Sequence, residues 1–350
     1  MSILFAILLF SLLIFVHELG HFIAAKLSGV QVNEFSMFMG PALVKWGKGE
    51  TQYSIRCIPI GGYCAMEGED ADTDNPRSFQ KAAWWKRLII LVAGSGMNFI
   101  AGLLLLTIVF APTKKILVPQ IDSAVPGCTV VREDGLHVGD RILEVDGEKI
   151  YVASNFSMIL NFNPGDVHDI VVERNGGKVY LDDLYMEKHL FDDDQTPRFG
   201  FSFAYQEATF GAKLSYIWNT AIDTVRTVRL SLQMLLTGQA GLKDMSGPVG
   251  IVQIMSETAA ASATKLGALM NMLYFGGFIA INLAVMNLLP IPALDGGRVI
   301  GLLLTTGIEA VTKRKINPKY EGYIHGAGMI LLLALMAIIM FKDIFTIFKG

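Results

Sequence analysis

The sequence predicts a multi-pass α-helical membrane protein. Its elements are four transmembrane helices, an inserted β-rich domain and a cytoplasmic-side membrane-associated β-hairpin. Three observations lead there. The 350-residue chain is 52% hydrophobic and only 17% charged, with a mean hydropathy of +0.45, as expected of membrane spans beside a soluble portion. Four apolar runs reach the ~20 residues that a helix needs to cross a bilayer. Between the second and third run lies a long stretch of alternating, turn-rich sequence.

The runs cover about 2–25, 88–111, 266–289 and 326–348. No positive residue precedes the apolar part of the first, and no small-residue cleavage site follows it, so it reads as a retained span and not a signal peptide. A fifth stretch, 210–236, is interrupted by Lys213, Asp223, Arg226 and Arg229, while Phe210, Leu214, Ile217, Ala221, Val225 and Val228 recur at helical spacing. That pattern predicts an amphipathic helix on the membrane surface.

Charge gives the orientation. The connection between spans one and two carries Lys26, Lys45, Lys48, Arg56, Arg77, Lys81, Lys86 and Arg87, and that between spans three and four carries Arg298, Lys313, Arg314, Lys315 and Lys319. The positive-inside rule puts both connections in the cytoplasm, and both termini with the long segment 112–265 outside. The net charge of −3 shows no nucleic-acid surface. Cys57, Cys64 and Cys128 form no disulfide framework and contain no C-x-x-C pair.

Within the outer segment, residues 115–203 read as a small globular domain. "DRILEVDG" alternates like a half-buried strand, and "DIVVERNGGKVYLDDLYM" is two strands around Asn175-Gly176-Gly177. "SNFSMILNF" reads as a short helix capped by Ser154. Asp192, Asp193 and Asp194 read as a solvated loop and not a calcium site. "GLHVGDRILEVDGEKI" resembles the PDZ-domain pattern, which implies a peptide ligand added as a β-strand. The chain thus divides into 1–111, two spans with the hairpin; 115–203, the PDZ-like domain; 206–265, the amphipathic helix and the "SGPVGI" segment; and 266–350, the last two spans.

The chemistry is concentrated in "LLIFVHELGHFIAAK". His17 and His21 are four apart, so on a helix they share one face and two imidazoles can reach one Zn2+. Glu18 beside them is placed to take a proton from water at the metal, the H-E-x-x-H arrangement of zinc peptidases. Ionisable residues inside an apolar span are functional candidates. A catalytic zinc needs a third protein ligand and an open position. Span three runs inward, as span one does, and ends in "NLLPIPALDGGR", where Asp295 is the sole acidic residue. His325, on the approach to span four, is the alternative. Span two begins with "LVAGSGMN", whose Gly94, Ser95 and Gly96 permit close helix contact and whose Asn98 is a polar group one turn on.

"HELGH", "NLLPIPALDGGR" and an inserted PDZ-like domain together resemble the site-2 protease family, in its bacterial regulator-of-sigma-E branch and in a form with one PDZ domain. "FSMFMGP" and "GGYCAME" resemble that family's membrane-dipping β-loop, and "AGSGMN" and "SGPVGI" resemble two further segments. Ser95 stands where the family often has Pro, and Met37 and Met39 where it tends toward smaller or β-branched residues. The resemblance implies an intramembrane zinc metalloendopeptidase of a bacterial cell membrane. In it His17, His21 and Asp295 bind Zn2+, Glu18 is the base, and Asn287 supports substrate or transition state. Its implied partners are single-span membrane proteins, such as anti-sigma factors or remnant signal peptides, together with lipid and no nucleic acid. It further implies that the PDZ-like domain filters substrates by size; a peptide receptor is the competing role. Two readings of other classes are a non-proteolytic zinc adaptor, which would need no Glu18, and a metal transporter, which four spans without an internal repeat disfavour.

Overall fold

The structure is a computed structural model that describes residues 2–69, 73–191, 196–241, 245, 247–313 and 319–349. The predicted 192–194 loop and Ser246 of "SGPVGI" lie outside the described residues. The chain forms two compact units, 1–109 with 231–350, and 110–230.

The first unit opens with α1, Ser2–Ser28. Gly29, at φ +82°, ends it: Val30 N donates to Ala25 O at 2.9 Å and Gly29 N to Lys26 O at 3.2 Å, the paired bonds of a Schellman motif. β1, Val32–Trp46, and β2, Gln52–Met66, pair antiparallel. The pairing is more than one hairpin. Phe35 lies opposite both Cys64 and Tyr53, and Trp46 opposite Tyr53, so the stretch around Phe35 is flanked by β2 on both edges. Positive φ at Phe38, Gly40 and Gly61 makes the bends that this requires. β2 runs beside α1, where Pro59 O accepts the Ser11 hydroxyl at 2.6 Å. α2 follows at Trp84–Phe110.

The second unit is β-rich: β3 Lys115–Ala124, β4 Arg141–Val145, β5 Glu148–Lys149, α3 Ser154–Phe162, β6 Val167–Arg174, β7 Gly177–Tyr185 and β8 Phe201–Glu207. The sheet order is β7-β6-β4-β3-β8, with β5 on β4. The turn predicted at Asn175-Gly176 is present, and the Asp-Gly pair that ends the strand of the PDZ-like pattern is a turn of the same kind. Asn175 and Gly176, at φ +52° and +78°, join β6 to β7, and Asp146 and Gly147, at +50° and +77°, join β4 to β5, as type I′ turns require. Phe156 fills the core among Ile142, Val145, Ile170 and Val172, and the rings of Phe199, Phe201 and Phe203 meet it edge-on at 5.5–5.9 Å. Ser154 does not cap α3: the helix begins on it and Ala153 is the cap residue, without a side-chain bond. Asn155 does the local bonding instead, its Oδ1 accepting from Tyr151 N at 3.0 Å and Val152 N at 3.1 Å.

α4, Phe210–Thr237, is the predicted amphipathic helix. Its charges are not a solvated face. Asp223 accepts from Asn155 at 2.6 Å, Arg226 donates to the Lys149 carbonyl, and Arg229 pairs with Glu148 at 2.5 Å. Phe210, Leu214 and Trp218, one turn apart, stay exposed.

The remaining helices complete the first unit: α5 Pro248–Ala260, α6 Lys265–Asn287, α7 Asp295–Thr312 and α8 Lys319–Lys349. Thr264 caps α6 by accepting from Gly267 N at 3.0 Å. Among the described residues, four helices are long and apolar enough to cross a membrane: Phe5–Ser28, Trp84–Phe110, Lys265–Asn287 and Gly322–Asp343. The chain is thus a multi-pass membrane protein with a β-rich domain inserted between its second and third spans.

Candidate metal centre

α1 puts His17 and His21 on one face, and both imidazoles are buried. They turn toward α2, where Gly94 makes room. A Cβ at Gly94 would stand 2.4 Å from His21 Nε2 and 2.8 Å from His17 Cε1, closer than real Cβ atoms come. Gly20 allows the same closeness from the other side, since its Cβ would meet the Ala93 carbonyl oxygen at 2.4 Å. These glycines are the reason a pair of imidazoles fits between two packed helices.

Asp295 arrives from far along the chain. It is the first residue of α7, not the end of α6 as the sequence suggested, and the turn 288–294 folds the chain back to bring it in. Gly296 and Gly297 press against the carbonyl oxygens of Leu288 and Ile291, where added Cβ atoms would come within 2.2 and 2.4 Å. The resulting cluster is tight. His17 Nε2 is 3.1 Å from His21 Nε2, and Asp295 Oδ2 is 3.0 and 3.3 Å from these two atoms. Among the described residues, these three alone form a group able to hold a metal ion, with ligand atoms within 4.8 Å of one another.

The donor chemistry fits zinc. His21 Nδ1 faces the Ile90 carbonyl at 2.8 Å, and a carbonyl only accepts. Nδ1 therefore carries the proton and Nε2 presents a bare lone pair to the cluster. Asp295 Oδ2 is buried and, close as the imidazoles are, makes no hydrogen bond: an orphaned anionic oxygen facing two imidazole nitrogens is what a cation would satisfy. His17 Nδ1 has the amides of Asn98 and Asn287 each at 3.4 Å. Asn98 Oδ1 is buried without a partner. A half-turn of that amide, which exchanges O and N, lets it accept from His17 Nδ1–H and frees the second Nε2 as well.

Glu18 points to the same centre but is held differently. Its Oε2 accepts from Cys64 N on β2 at 3.1 Å, and Gly62, two residues before, lets β2 lie close on β1, since a Cβ there would stand 2.8 Å from the Ser36 carbonyl oxygen. Sequence reasoning missed this backbone donor, and no residue type could have announced it. It also missed the separate helix α7. His325, weighed as an alternative ligand, is not in the cluster; its Nδ1 accepts from Ala293 N at 3.0 Å. The three cysteines are free, and burial together with the Glu18 carboxylate pushes the Cys64 thiol up beyond any role as a nucleophile at neutral pH.

Spanning helices that carry an H-E-x-x-H pair, with an acid brought to it by a later helix, define a class, the zinc metalloproteases of membranes. The family model described as Peptidase family M50 matches residues 5–335. A protein of Clostridium acetobutylicum provisionally named a zinc metalloprotease is 35% identical over 346 residues, 98% of this chain and 97% of its own. A similarly named protein of Fusobacterium nucleatum is 35% identical over 362 residues and covers 100% of both chains. The "Regulator of sigma-W protease RasP" of Bacillus subtilis is 26% identical over 429 residues, 98% of each chain. The chain belongs to Peptidase family M50, the site-2 protease family, and the cofactor of that family is zinc.

Proposed function

We propose that the protein is an intramembrane endopeptidase that cleaves transmembrane segments of single-span membrane proteins. His17, His21 and Asp295 are its zinc ligands and Glu18 is its general base. The observation that carries this reading is the convergence of two imidazole nitrogens from a helix of spanning length with an unbonded carboxylate oxygen from α7, and a second carboxylate on the same spanning helix beside them. Bound zinc supplies Lewis acidity, which makes water nucleophilic near neutral pH and polarises a peptide carbonyl. Glu18 takes the proton of the attacking water and returns it to the departing amine. Asn287, the last residue of α6 and next to His17, donates to the oxygen that gains charge. Asn98 and the Ile90 carbonyl fix the two rings.

A transmembrane helix hides its amides in its own hydrogen bonds, so the substrate must unwind and needs new backbone partners in lipid. β2 descends along α1 from Cys64 beside Glu18 to Pro59 beside Ser11, which puts strand edges at the depth of the cluster. We assign this sheet the membrane-dipping role, with its edge pairing to the extended substrate. Residues 115–203 act as a PDZ-like domain that controls substrate access, either as a size filter or as a receptor for a trimmed terminus, and α4 rests its Phe210, Leu214 and Trp218 stripe on the lipid surface. Both termini and this domain lie outside the cytoplasm, and the zinc site lies near the cytoplasmic face of a bacterial membrane. Anti-sigma factors and remnant signal peptides are the substrate class.

The deciding experiment is cleavage of a tagged single-span substrate by the purified protein in detergent, with bound zinc quantified. Glu18→Gln should retain zinc and lose at least about 100-fold in rate. Equal cleavage by Glu18→Gln would refute the role of Glu18, and wild-type protein that takes up no zinc would refute the ligand set.

A further inference from the structure

Two residues before Asp295, Ala293 adopts φ +81°, a conformation in which its Cβ crowds the backbone and which alanine rarely takes. Such a residue persists only where its surroundings hold it. The Ala293 N–H donates to His325 Nδ1 at 3.0 Å, and His325 belongs to α8, not to the turn. α8 also closes on the preceding residue. A Cβ on Gly328 would lie 2.5 Å from Pro292 Cβ and 2.8 Å from its carbonyl carbon and oxygen. His325 and Gly328 are three apart and share one face of α8. Most of the apolar length of α8 is exposed, and its other anchorage is Asp343 near the far end, bonded to α5. The turn is thus tightened from within by Gly296 and Gly297 and held from without by His325.

We propose that His325 is a positioning residue for Asp295. By accepting the Ala293 N–H it keeps the turn 288–294 in its left-handed bend, and the bend sets where α7 begins. That start places the Asp295 carboxylate against His17 and His21. The fourth span thereby takes part in the metal centre without contributing a ligand. The inference rests on the reading of Asp295 as a zinc ligand, and the test separates the two.

The test is zinc affinity, measured by titrating Zn2+ alone into the full-length metal-free protein in detergent against a competing chelator dye. His325→Ala should weaken binding about 10–100-fold, the usual effect of losing an outer partner of a ligand, with helical circular dichroism unchanged. His325→Asn, whose Oδ1 can accept the same N–H, should recover most of the loss. Ala293→Gly combined with His325→Ala should recover part of it, because glycine takes positive φ freely. Gly328→Ala, which leaves His325 in place but crowds Pro292, should also weaken binding and serves if His325→Ala does not fold. Co2+-loaded His325→Asn should keep the wild-type visible spectrum. Wild-type affinity in both His325→Ala and Gly328→Ala, with Asp295→Ala impaired, would overturn the positioning role alone. Wild-type affinity in Asp295→Ala would overturn the ligand reading beneath it. A changed Co2+ spectrum in His325→Asn would make His325 a ligand, which also overturns the proposal.

Discussion

Gly94 shows how much of the centre depends on an atom that is missing. Its hydrogen occupies the place where any Cβ would strike both imidazoles, and the Ile90 carbonyl one turn earlier can then reach His21. Gly94→Ala should therefore lower zinc affinity about tenfold or more while the helices still form, as metal titration with circular dichroism would show. A second residue-scale prediction concerns Glu34. Burial opposes its ionisation, but hydrogen bonds from Ser54, at 2.6 Å, and from Arg56, at 2.8 Å, together with Tyr63, outweigh burial and hold its carboxyl down to about 2. A depressed carboxylate contributes stability above its unfolded value of 4.5 and loses it as the pH falls toward 2. Hydrogen exchange of β1 amides should accelerate through that window, and Arg56→Met should move the onset to higher pH. The H-E-x-x-H pair was legible in the sequence because its geometry is local, four residues along one helix. The support of Glu18 was not, because its partner is the main-chain N–H of Cys64, and every residue but proline has one.

Elements carry their own lessons. The turns at Asp146-Gly147 and Asn175-Gly176 were readable because positive φ at two successive positions selects few residue types. Gly176→Ala should cost the β-rich unit about 1 kcal/mol, measurable as a lower urea midpoint. α7 was not readable, because "LDGGR" continues an apolar run and its two glycines look like a loop. They are there for close approach to the Leu288 and Ile291 carbonyls. The charges of α4 were readable as charges but not as attachments: Asp223, Arg226 and Arg229 reach α3 and β5. α5 shows a cap supplied from elsewhere. Its cap residue is Gly247, with no side-chain bond. Asp343 on α8, itself buried, accepts from Gly247 N at 2.9 Å and Gly250 N at 3.0 Å. Asp343→Leu should destabilise α5 by about 1–2 kcal/mol, seen as faster exchange at its first turn, whereas Asp343→Asn should be milder.

At the scale of the molecule, the four spans and the inserted domain were legible because apolar length and strand alternation are properties of whole segments. How the turn 288–294 returns Asp295 to α1 was not, because it depends on a positive φ at an alanine. Removal of residues 115–203 separates the two roles open to the β-rich domain. A size filter predicts that untrimmed substrates become cleavable, and a receptor predicts that trimmed ones cease to be. Metal removal is predicted to be local. A chelator should raise hydrogen exchange in the turn before α7, whose first residue loses its hold, while the β-rich unit stays protected.

The first unit is assembled from 1–109 and 231–350, so the whole of the second unit is synthesised between His21 and Asp295. At roughly 5–20 residues per second, the interval is on the order of tens of seconds. Throughout it the nascent chain holds two imidazoles and a base in α1 without the acid that completes the set. On the reading of Asp295 as a ligand, a chain interrupted inside the β-rich unit would lack the third donor of the centre. The order of the elements thus delays completion of the proposed metal centre until Asp295 has been made.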